Sequence, residues 1–459
     1  MIDFKNTYLR KLPSVSRIIE RPELSEMVNG YPHILIVKSI RQVIEDRKNS
    51  ILKAQSEDNI KDIDLSIESI IREVQILVEE TGMMTIRRAI NATGDVLNDD
   101  LCHDLLNEYA QKAILEVSKG YSTPFNDYQF SQLLTEITGA ESGVVLNNNT
   151  AGMLLSLNTI CNGKEVIVSR GEIVETDESR LPEVIEKSGA KLVSVGTTNK
   201  THLYDYQRAI NENTGAIMRA DKANFRIVGF TDYVPLTDLA SLSGKSKIPL
   251  IEIIGNGCLI DLTQLGFSEE SYVPLSVKTG SDVVCFGGDR LMGGPQAGIV
   301  VGKLKYISMI QENPLYQALK PDKFAISALE ATLRSYLDGD LLKHNIALAL
   351  LCRSIDEIKG LNVVLIEKLK DKLSDQVIIN VVNGYSKIDS LSIPPEKFPT
   401  EFITIKFIGL TSEEMARKMR MRKIPIIVNI NKEGVSLDMR SVFANEIGEI
   451  AEAIIECIT

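Results

Sequence analysis

Apolar residues near the start of the chain recur at helical spacing, which predicts two amphipathic helices. Residues 32–48 place Ile34, Val37 and Ile40 on one face, and residues 62–80 repeat the pattern. Thr81-Gly82 is a stop signal for the second helix. We therefore expect a helical N-terminal domain over residues 1–80.

The pattern changes over residues 81–325, where short β-branched runs alternate with helical stretches. This alternation predicts a mainly parallel sheet covered by helices on both faces. The predicted strands are Gly143–Leu146, Glu165–Ser169, Lys191–Val195, Ala216–Met218, Pro249–Ile254, Asp282–Phe286 and Ala297–Val301, with helices Phe130–Thr138, Ala151–Cys161, Pro182–Ser188 and Leu203–Asn211 between them.

Residues 326–459 are expected to form a smaller α+β domain. A long helical stretch covers Ala325–Lys359 and continues into mixed elements. The predicted strands are Val363–Glu367, Phe402–Ile408, Ile426–Ile430 and Val435–Asp438, and the predicted helices are Ser412–Arg420 and Asn445–Ile458. A helical module, a large α/β domain and a small α+β domain suit an aminotransferase-like fold, with ligands at the C-terminal edge of the sheet.

The composition favours a globular cytoplasmic protein. Hydrophobic residues make up 44% of the chain, which excludes extensive disorder. No apolar run reaches membrane-spanning length, so no membrane association is expected. The six cysteines and four histidines are scattered, which indicates reduced thiols and no metal site.

Charge is unevenly distributed along the chain. The net charge is −11, yet residues 1–50 carry +3 and the remainder −14. A mildly basic N-terminal module on an acidic body suits a protein that contacts a phosphate backbone at one end. Ordinary fluctuation over fifty residues is the alternative explanation.

The segment Phe286 to Gly298, with Asp289-Arg290 before a Gly293 to Gly298 run, resembles the cofactor-lysine loop of bacterial selenocysteine synthase, L-seryl-tRNA(Sec) selenium transferase. The resemblance runs nearly end to end, and it implies a fold-type-I pyridoxal phosphate (PLP) transferase. The other matching blocks are Leu9–Val15, Arg88–Gly94, Leu133–Glu141, Val145–Asn149, Lys164–Glu172, Val195–Thr201, Ala328–Arg334 and Leu437–Arg440.

The chain departs from this family where the cofactor would react. Arg290 stands at the lysine that joins PLP through a Schiff base, and a guanidinium does not condense with an aldehyde as an amine does. Ile253 replaces the aspartate that pairs with the pyridine nitrogen. Asp221 replaces the stacking histidine, and Gly287 replaces a phosphate-binding serine. PLP is therefore not expected to be covalently bound.

Other positions of the resemblance imply a degenerate binding site. The turn of Asn148, Asn149 and Thr150 matches the family's phosphate turn, with a plain helix cap as the alternative, and Asp289 lies in the cofactor loop. Arg180 and Lys320 match arginines that hold selenophosphate. Gln317 replaces a further arginine, and Asp177-Glu178 replaces a glycine pair.

The helical N-terminal domain of this family binds the selenocysteine tRNA. Phosphate contacts position an RNA without reading its sequence, and a solvated helix face is the alternative. The candidate contacts are Arg10, Lys11, Lys38, Arg41 and Lys48. The resemblance also implies an oligomer: a dimer, a ring of dimers, or a hetero-oligomer with an active homologue.

Three functions stay open. The residues favour a divergent family member that is non-catalytic through PLP and binds tRNA or co-assembles with an active relative. An active transferase that makes selenocysteinyl-tRNA(Sec) from seryl-tRNA(Sec) and selenophosphate is the second, and a site repurposed for another small ligand is the third. Lys222 and Lys278 are the alternative lysines considered for the role lost at Arg290.

Overall fold

The computed structural model divides the chain into two compact units, Met1–Arg88 and Ala89–Thr459. It describes residues 3–54, 56–61, 63–98, 100–101, 105–173, 180–220, 227, 229–267, 271–370, 372, 377–388 and 397–457. Asp177, Glu178, Asp221 and Lys222, which the sequence singles out, lie outside these residues. The further division of residues 81–459 at 325 stays a prediction.

The first unit is helical, as its apolar periodicity predicts. Ser14 and Ser66 cap two of its helices by accepting hydrogen bonds from backbone amides. Its core joins the buried faces of the two longest helices, including Ile36, Ile40 and Val74. The helices are α1 Asp3–Leu9, α2 Val15–Ile19, α3 Pro22–Gly30, α4 His33–Lys53, α5 Glu57–Lys61 and α6 Ile67–Gly82.

The second unit combines fifteen helices with three sheets in its described residues. Its helices are α7 Glu108–Ser118, α8 Asp127–Thr138, α9 Asn149–Cys161, α10 Leu181–Lys187, α11 Leu203–Ala209, α12 Leu236–Ser246, α13 Val273–Thr279, α14 Leu304–Glu312, α15 Leu315–Leu319, α16 Lys323–Ser335, α17 Leu341–His344, α18 Ile346–Leu351, α19 Ile355–Leu369, α20 Ser412–Arg420 and α21 Ile447–Glu456. Its strands are β1 Ile90–Asn91, β2 Ser142–Leu146, β3 Glu165–Ser169, β4 Lys191–Val195, β5 Thr214–Ala220, β6 Leu250–Ile254, β7 Val283–Gly287, β8 Gly298–Gly302, β9 Val377–Tyr385, β10 Pro399–Phe407, β11 Ile426–Ile427, β12 Asn429–Asn431 and β13 Gly434–Asp438.

The large sheet has the strand order β2-β8-β7-β6-β5-β3-β4 within the described chain. Strand β8 runs antiparallel to both neighbours, and the other strands share one direction. Nearly continuous apolar strands are buried on both faces, against α9, α10 and α14 on one side and α8, α13 and α16 on the other. The predicted aminotransferase-like α/β fold is confirmed.

A four-stranded antiparallel sheet of order β12-β13-β10-β9 forms the C-terminal part of the second unit. Its core includes Ile403, Leu437 and Ile450. The short strand β1 pairs in parallel with β11, with Ile90 opposite Ile426. The start of the second unit is thereby joined to its end.

A buried polar network lies beside this junction. The Asp438 side chain is fully buried and accepts hydrogen bonds from Ser386 Oγ at 2.6 Å and Thr400 Oγ1 at 2.7 Å. The Arg440 guanidinium, 1% exposed, donates to the carbonyl oxygens of Leu351 and Pro399, among others. Burial lowers the pKa of Arg440 from its ordinary value, and the Asp438 carboxylate opposes that shift.

Two sequence-based expectations about the C-terminal region were wrong. Val363–Glu367, predicted as a strand, lies inside helix α19. The helical stretch Ala325–Lys359 is interrupted, since Gly339 adopts a left-handed conformation and Asn345 caps α18. None of the helices in the described ranges is both long and apolar enough to cross a membrane.

Candidate functional site

Three turns meet at the C-terminal edge of the large sheet, where the parallel strands end. The turn after β2 carries Asn148 and Asn149, the turn after β6 is Gly255 to Gly257, and the loop after β7 runs from Gly287 to Arg290. Ligands of open α/β sheets bind at such an edge. The structure therefore brings the predicted phosphate turn and the cofactor loop into one place.

The turn after β2 leads into helix α9. Asn148 is the N-cap, and its side-chain oxygen accepts a hydrogen bond from the Ala151 amide at 2.8 Å. The side-chain nitrogen of Asn149 donates to the Ile254 carbonyl at 3.4 Å, whereas its buried oxygen has no hydrogen-bond partner in the described chain. Asn148 thus caps the helix, and a phosphate-binding role for Asn148, Asn149 and half-buried Thr150 stays a prediction.

The turn after β6 fits tightly against the loop after β7. Gly257 has a φ of +63°, and a Cβ there would overlap the Gly287 carbonyl oxygen. The Leu291 amide donates to the Asn256 carbonyl at 3.2 Å. A glycine at position 257 is therefore required by the close approach of the two backbones.

Asn256 is a site residue that the sequence reasoning missed. Its side chain is 2% exposed, and both of its polar atoms have no hydrogen-bond partner in the described chain. Buried amide groups normally have partners. The available sequence signal was an amide residue between two glycines directly after a buried strand.

The loop after β7 places Arg290 in an unusual backbone conformation. Arg290 is half-buried with a φ of 53°, in the left-handed region that L-residues rarely adopt. Gly287 is buried, and a Cβ there would lie 2.5 Å from the Asp289 Oδ1 atom. The carboxylate of Asp289 thus occupies the space that a serine side chain at position 287 would need.

Strand β6 presents an apolar group where the resemblance requires a carboxylate. Ile253 packs against the core on one face of the sheet. Glu252 is 1% exposed and accepts a hydrogen bond from Ser281 Oγ at 2.9 Å. Because neighbouring strand residues point to opposite faces, Glu252 does not substitute for the missing carboxylate at position 253.

Lys320 contacts other side chains of the protein, and its predicted role in holding an anionic donor stays a prediction. Its Nζ atom lies 2.9 Å from Asp127 Oδ2 and 4.8 Å from the Tyr316 ring centroid. The Tyr316 hydroxyl donates to Asp127 Oδ1 at 2.7 Å, and burial followed by the contacts with Asp127 raises the Tyr316 pKa. The sequence signal that we missed is Asp127, an acid within the shortened segment that has lost its arginine.

Arg180 and the basic residues of the first unit are more exposed. Arg180 is the N-cap residue of α10, and its guanidinium lies 3.6 Å from Glu183. In the first unit, Arg10, Lys11, Lys38 and Arg41 are exposed, and Lys11 lies 4.5 Å from the Tyr8 ring centroid. Lys48 forms an ion pair with Glu45 at 3.1 Å. Lys38 and Arg41 therefore offer the more accessible charges on α4.

These residues do not fit covalently held PLP. Position 290 has a guanidinium in place of a primary amine, and position 253 has a branched aliphatic side chain in place of a carboxylate. The unpartnered side-chain oxygen of Asn149 and the unpartnered side-chain amide of Asn256 show that hydrogen-bonding capacity persists at the same sheet edge in the described chain. In the described chain, no cluster of three or more histidine, cysteine, aspartate or glutamate residues could hold a metal ion.

Comparisons with known proteins match nearly the whole chain. The L-seryl-tRNA selenium transferase family matches residues 89–443, and the selenocysteine synthase N-terminal family matches residues 9–47. The L-seryl-tRNA(Sec) selenium transferase of Alkaliphilus metalliredigens is 40% identical over 462 residues, covering 98% of each chain. The enzyme of the same name from Clostridium botulinum strain Okra is 37% identical over 471 residues, again covering 98% of each chain.

A solved structure supports the fold independently. D-Glucosaminate-6-phosphate ammonia-lyase superposes with a TM-score of 0.60 at 18% identity, covering 82% of this chain and 96% of its own. At that identity the likeness concerns the fold alone. Together with the match over residues 89–443, the full-length relatives show that the chain belongs to the L-seryl-tRNA selenium transferase, or selenocysteine synthase, family.

Proposed function

We propose that this chain is a selenocysteine synthase family member that does not perform the parent selenium transfer through PLP. Its role in this proposal is to bind tRNA or to assemble with an active homologue. The observation that carries the proposal is the guanidinium of Arg290 in the cofactor loop. Ile253, on the adjacent strand, removes the second group on which the parent chemistry depends.

Two physical arguments support this proposal. An arginine side chain stays protonated at ordinary pH and is not a carbonyl-capturing amine. An apolar residue at position 253 cannot keep a pyridine nitrogen protonated, so the ring would not act as an electron sink. Meanwhile the glycine-mediated contacts between the turns are intact, as expected for a fold retained without its parent reaction.

The competing function is the transfer itself, from seryl-tRNA(Sec) to selenocysteinyl-tRNA(Sec) with selenophosphate. It is favoured by relatives of that name that are 37–40% identical over 98% of this chain. It requires a different amine to take the place of Arg290. Lys278 is exposed on α13, on the helix that precedes β7, so it lies toward the opposite edge of the sheet from the loop.

Incubation of the purified protein with PLP is expected to give no borohydride-reducible adduct on a lysine at the sheet edge. Peptide mapping by mass spectrometry after reduction measures this directly, because a reduced Schiff base marks the lysine that formed it. The Arg290→Lys variant is expected to show no selenium transfer, since Ile253 remains. A pyridoxyl adduct on any lysine at the sheet edge of the wild type would favour the active transferase, and turnover by the single variant would show that Ile253 is tolerated.

Replacement of both Lys38 and Arg41 by alanine is expected to weaken binding of selenocysteine tRNA. Each lost phosphate contact should lower the salt slope of binding by about 1, so the double variant should lose about 2. Electrophoretic shifts over a series of salt concentrations measure the slope. The double variant Lys245→Ala and Lys278→Ala removes the same charge from exposed sites on the second unit; an equal effect there would reject a specific role for α4.

A further inference from the structure

Two segments at the C-terminal ends of β4 and β5 are held together by backbone contacts. The Asp232 amide donates to the Asn199 carbonyl at 2.9 Å, and the Thr201 amide donates to the Asp232 carbonyl at 3.2 Å. The side-chain nitrogen of Asn199 donates to the Phe230 carbonyl at 2.7 Å. These bonds hold the backbone of Phe230 at a defined place on the surface.

Three exposed rings and the half-buried ring of His202 lie on or beside these segments. With two arginines we call them the ring patch: His202, Tyr204, Phe230, Tyr233, Arg208 and Arg219. Phe230 is 90% exposed, Tyr233 60% and Tyr204 50%. The His202 and Tyr204 rings stack with centroids 5.3 Å apart and an interplanar angle of 17°. Single exposed apolar residues are ordinary on protein surfaces, but a cluster of rings on a fixed backbone indicates an interaction site.

Cations lie among these rings. The Arg208 guanidinium carbon is 5.2 Å from the Tyr204 ring centroid, and that of Arg219 is 5.9 Å from the Tyr233 centroid. The Arg219 side chain also donates to the Val234 carbonyl at 3.2 Å, which fixes its position. The ring patch therefore contains two guanidinium groups on a chain whose net charge is −11.

The carboxylates near the ring patch are engaged locally. Asp205 accepts a hydrogen bond from the His202 amide at 2.9 Å. The Asp232 carboxylate lies 3.7 Å from Nδ1 of the His202 imidazole. Neither carboxylate displaces the guanidinium groups of Arg208 and Arg219 from the Tyr204 and Tyr233 rings.

We infer that the ring patch binds unpaired nucleotides of an RNA partner, with bases stacked on its rings and phosphates near its guanidinium groups. Aromatic faces interleaved with arginines are the usual means of holding single-stranded nucleic acid. A paired duplex does not offer free base faces to such a surface. A protein partner is less favoured because its main contacts would need a contiguous, water-excluding apolar pocket. This inference rests on the RNA-binding role proposed above and adds a second RNA site, on the second unit.

Phe230 gives the sharpest test, because a 90% exposed side chain contributes little to folding. The probe is a fluorescently labelled, unstructured single-stranded RNA, and fluorescence anisotropy measures its affinity for the full chain. Phe230→Ala should weaken binding about 5- to 100-fold, the range expected for loss of one base–aromatic stack. Phe230→Tyr should retain affinity, and Tyr128→Ala, which removes a 71% exposed ring outside the ring patch, should not change it.

Other outcomes separate this inference from the proposed function. Unchanged affinity for Phe230→Ala, or full affinity for Phe230→Leu, would overturn the stacking role while leaving tRNA binding through Lys38 and Arg41 intact. If the wild-type chain binds neither this RNA nor selenocysteine tRNA, the ring-patch inference and the tRNA-binding role both fail, which leaves assembly with an active homologue as the proposed role. If Phe230→Ala abolishes self-association in gel filtration without changing RNA affinity, the ring patch contacts a second copy of the chain and the RNA assignment is wrong.

Discussion

Replacing Asp438 by alanine is expected to destabilise the second unit by about 3–5 kcal/mol, the cost of leaving a buried charge without its partner. The carboxylate is fully buried and is the acceptor for Ser386 and Thr400. It also offsets the burial of Arg440. Its removal leaves the Ser386 and Thr400 hydroxyl groups without this acceptor. It also leaves the buried Arg440 charge with less electrostatic compensation. Urea denaturation followed by circular dichroism measures the loss.

Two further variants test this explanation. Asp356→Ala removes an exposed carboxylate from the first turn of α19 and should cost no more than about 1 kcal/mol. The double variant Asp438→Ala and Arg440→Met should lose less stability than the sum of the single losses, because the groups are coupled. Strict additivity would indicate that Asp438 acts only through its hydroxyl partners.

Gly298→Ala is the second substitution with a large expected effect. Gly298 pairs with Leu146 of β2 and Gly287 of β7, and a Cβ there would overlap the Asn148 carbonyl. The added Cβ would overlap backbone atoms of Asn148, which cannot rotate away as a flexible side chain could. Relief of the overlap therefore requires the turn before α9 to move. We expect a loss above about 2 kcal/mol, in the range of overpacked cores, together with displacement of the candidate phosphate turn.

Gly360→Ala provides the matched control for this substitution. Gly360 lies inside helix α19, and a Cβ there has no neighbour within 4 Å. Alanine should stabilise that helix by about 0.5–1 kcal/mol. The thermal unfolding midpoints of the two variants should therefore shift in opposite directions. An unchanged midpoint for Gly298→Ala would mean that the turn is more adaptable than its contacts indicate.

The large sheet could be predicted because its strands are short apolar runs separated by amphipathic helices. Glu165–Ser169 and Lys191–Val195 coincide with β3 and β4, and the other five predicted strands are within two residues of the observed strands at each end.

The C-terminal region was harder to predict from the sequence. Val363 and Val364 resemble a strand by residue type, but buried Ile358, Asn362, Leu365 and Leu369 recur at helical spacing. Tertiary packing of these buried residues favours the helix over the strand in that segment.

Strand β9, Val377–Tyr385, had no counterpart among the predicted elements. Its burial alternates only weakly, and it lies at the edge of the described sheet, beside β10. Apolar residues occupy both of its faces, since the neighbours Val381 and Val382 point in opposite directions. The sequence therefore carried little of the period-2 signal from which a half-buried strand is recognised.

The candidate site was predictable in position but not in its interactions. Motif order and strand ends located the turn at Asn148 and the loop at Arg290. The ion pair of Lys320 with Asp127 joins residues far apart in the chain, so the acid at position 127 did not by itself identify its partner. The left-handed backbone of Arg290 and the unpartnered amide of Asn256 are likewise consequences of how three turns meet.

The pairing of β1 with β11 has a consequence for biosynthesis. The Gly94 amide donates to Ser441 Oγ, 347 positions later in the chain, and Ile90 lies opposite Ile426. During translation, the segment that opens the second unit therefore stays unpaired until Ile426 and Ser441 have been synthesised. Contacts between residues so far apart in the sequence form late, and they lower the folding rate. Nascent chains stalled before Ile426 should expose this segment to proteases and chaperones.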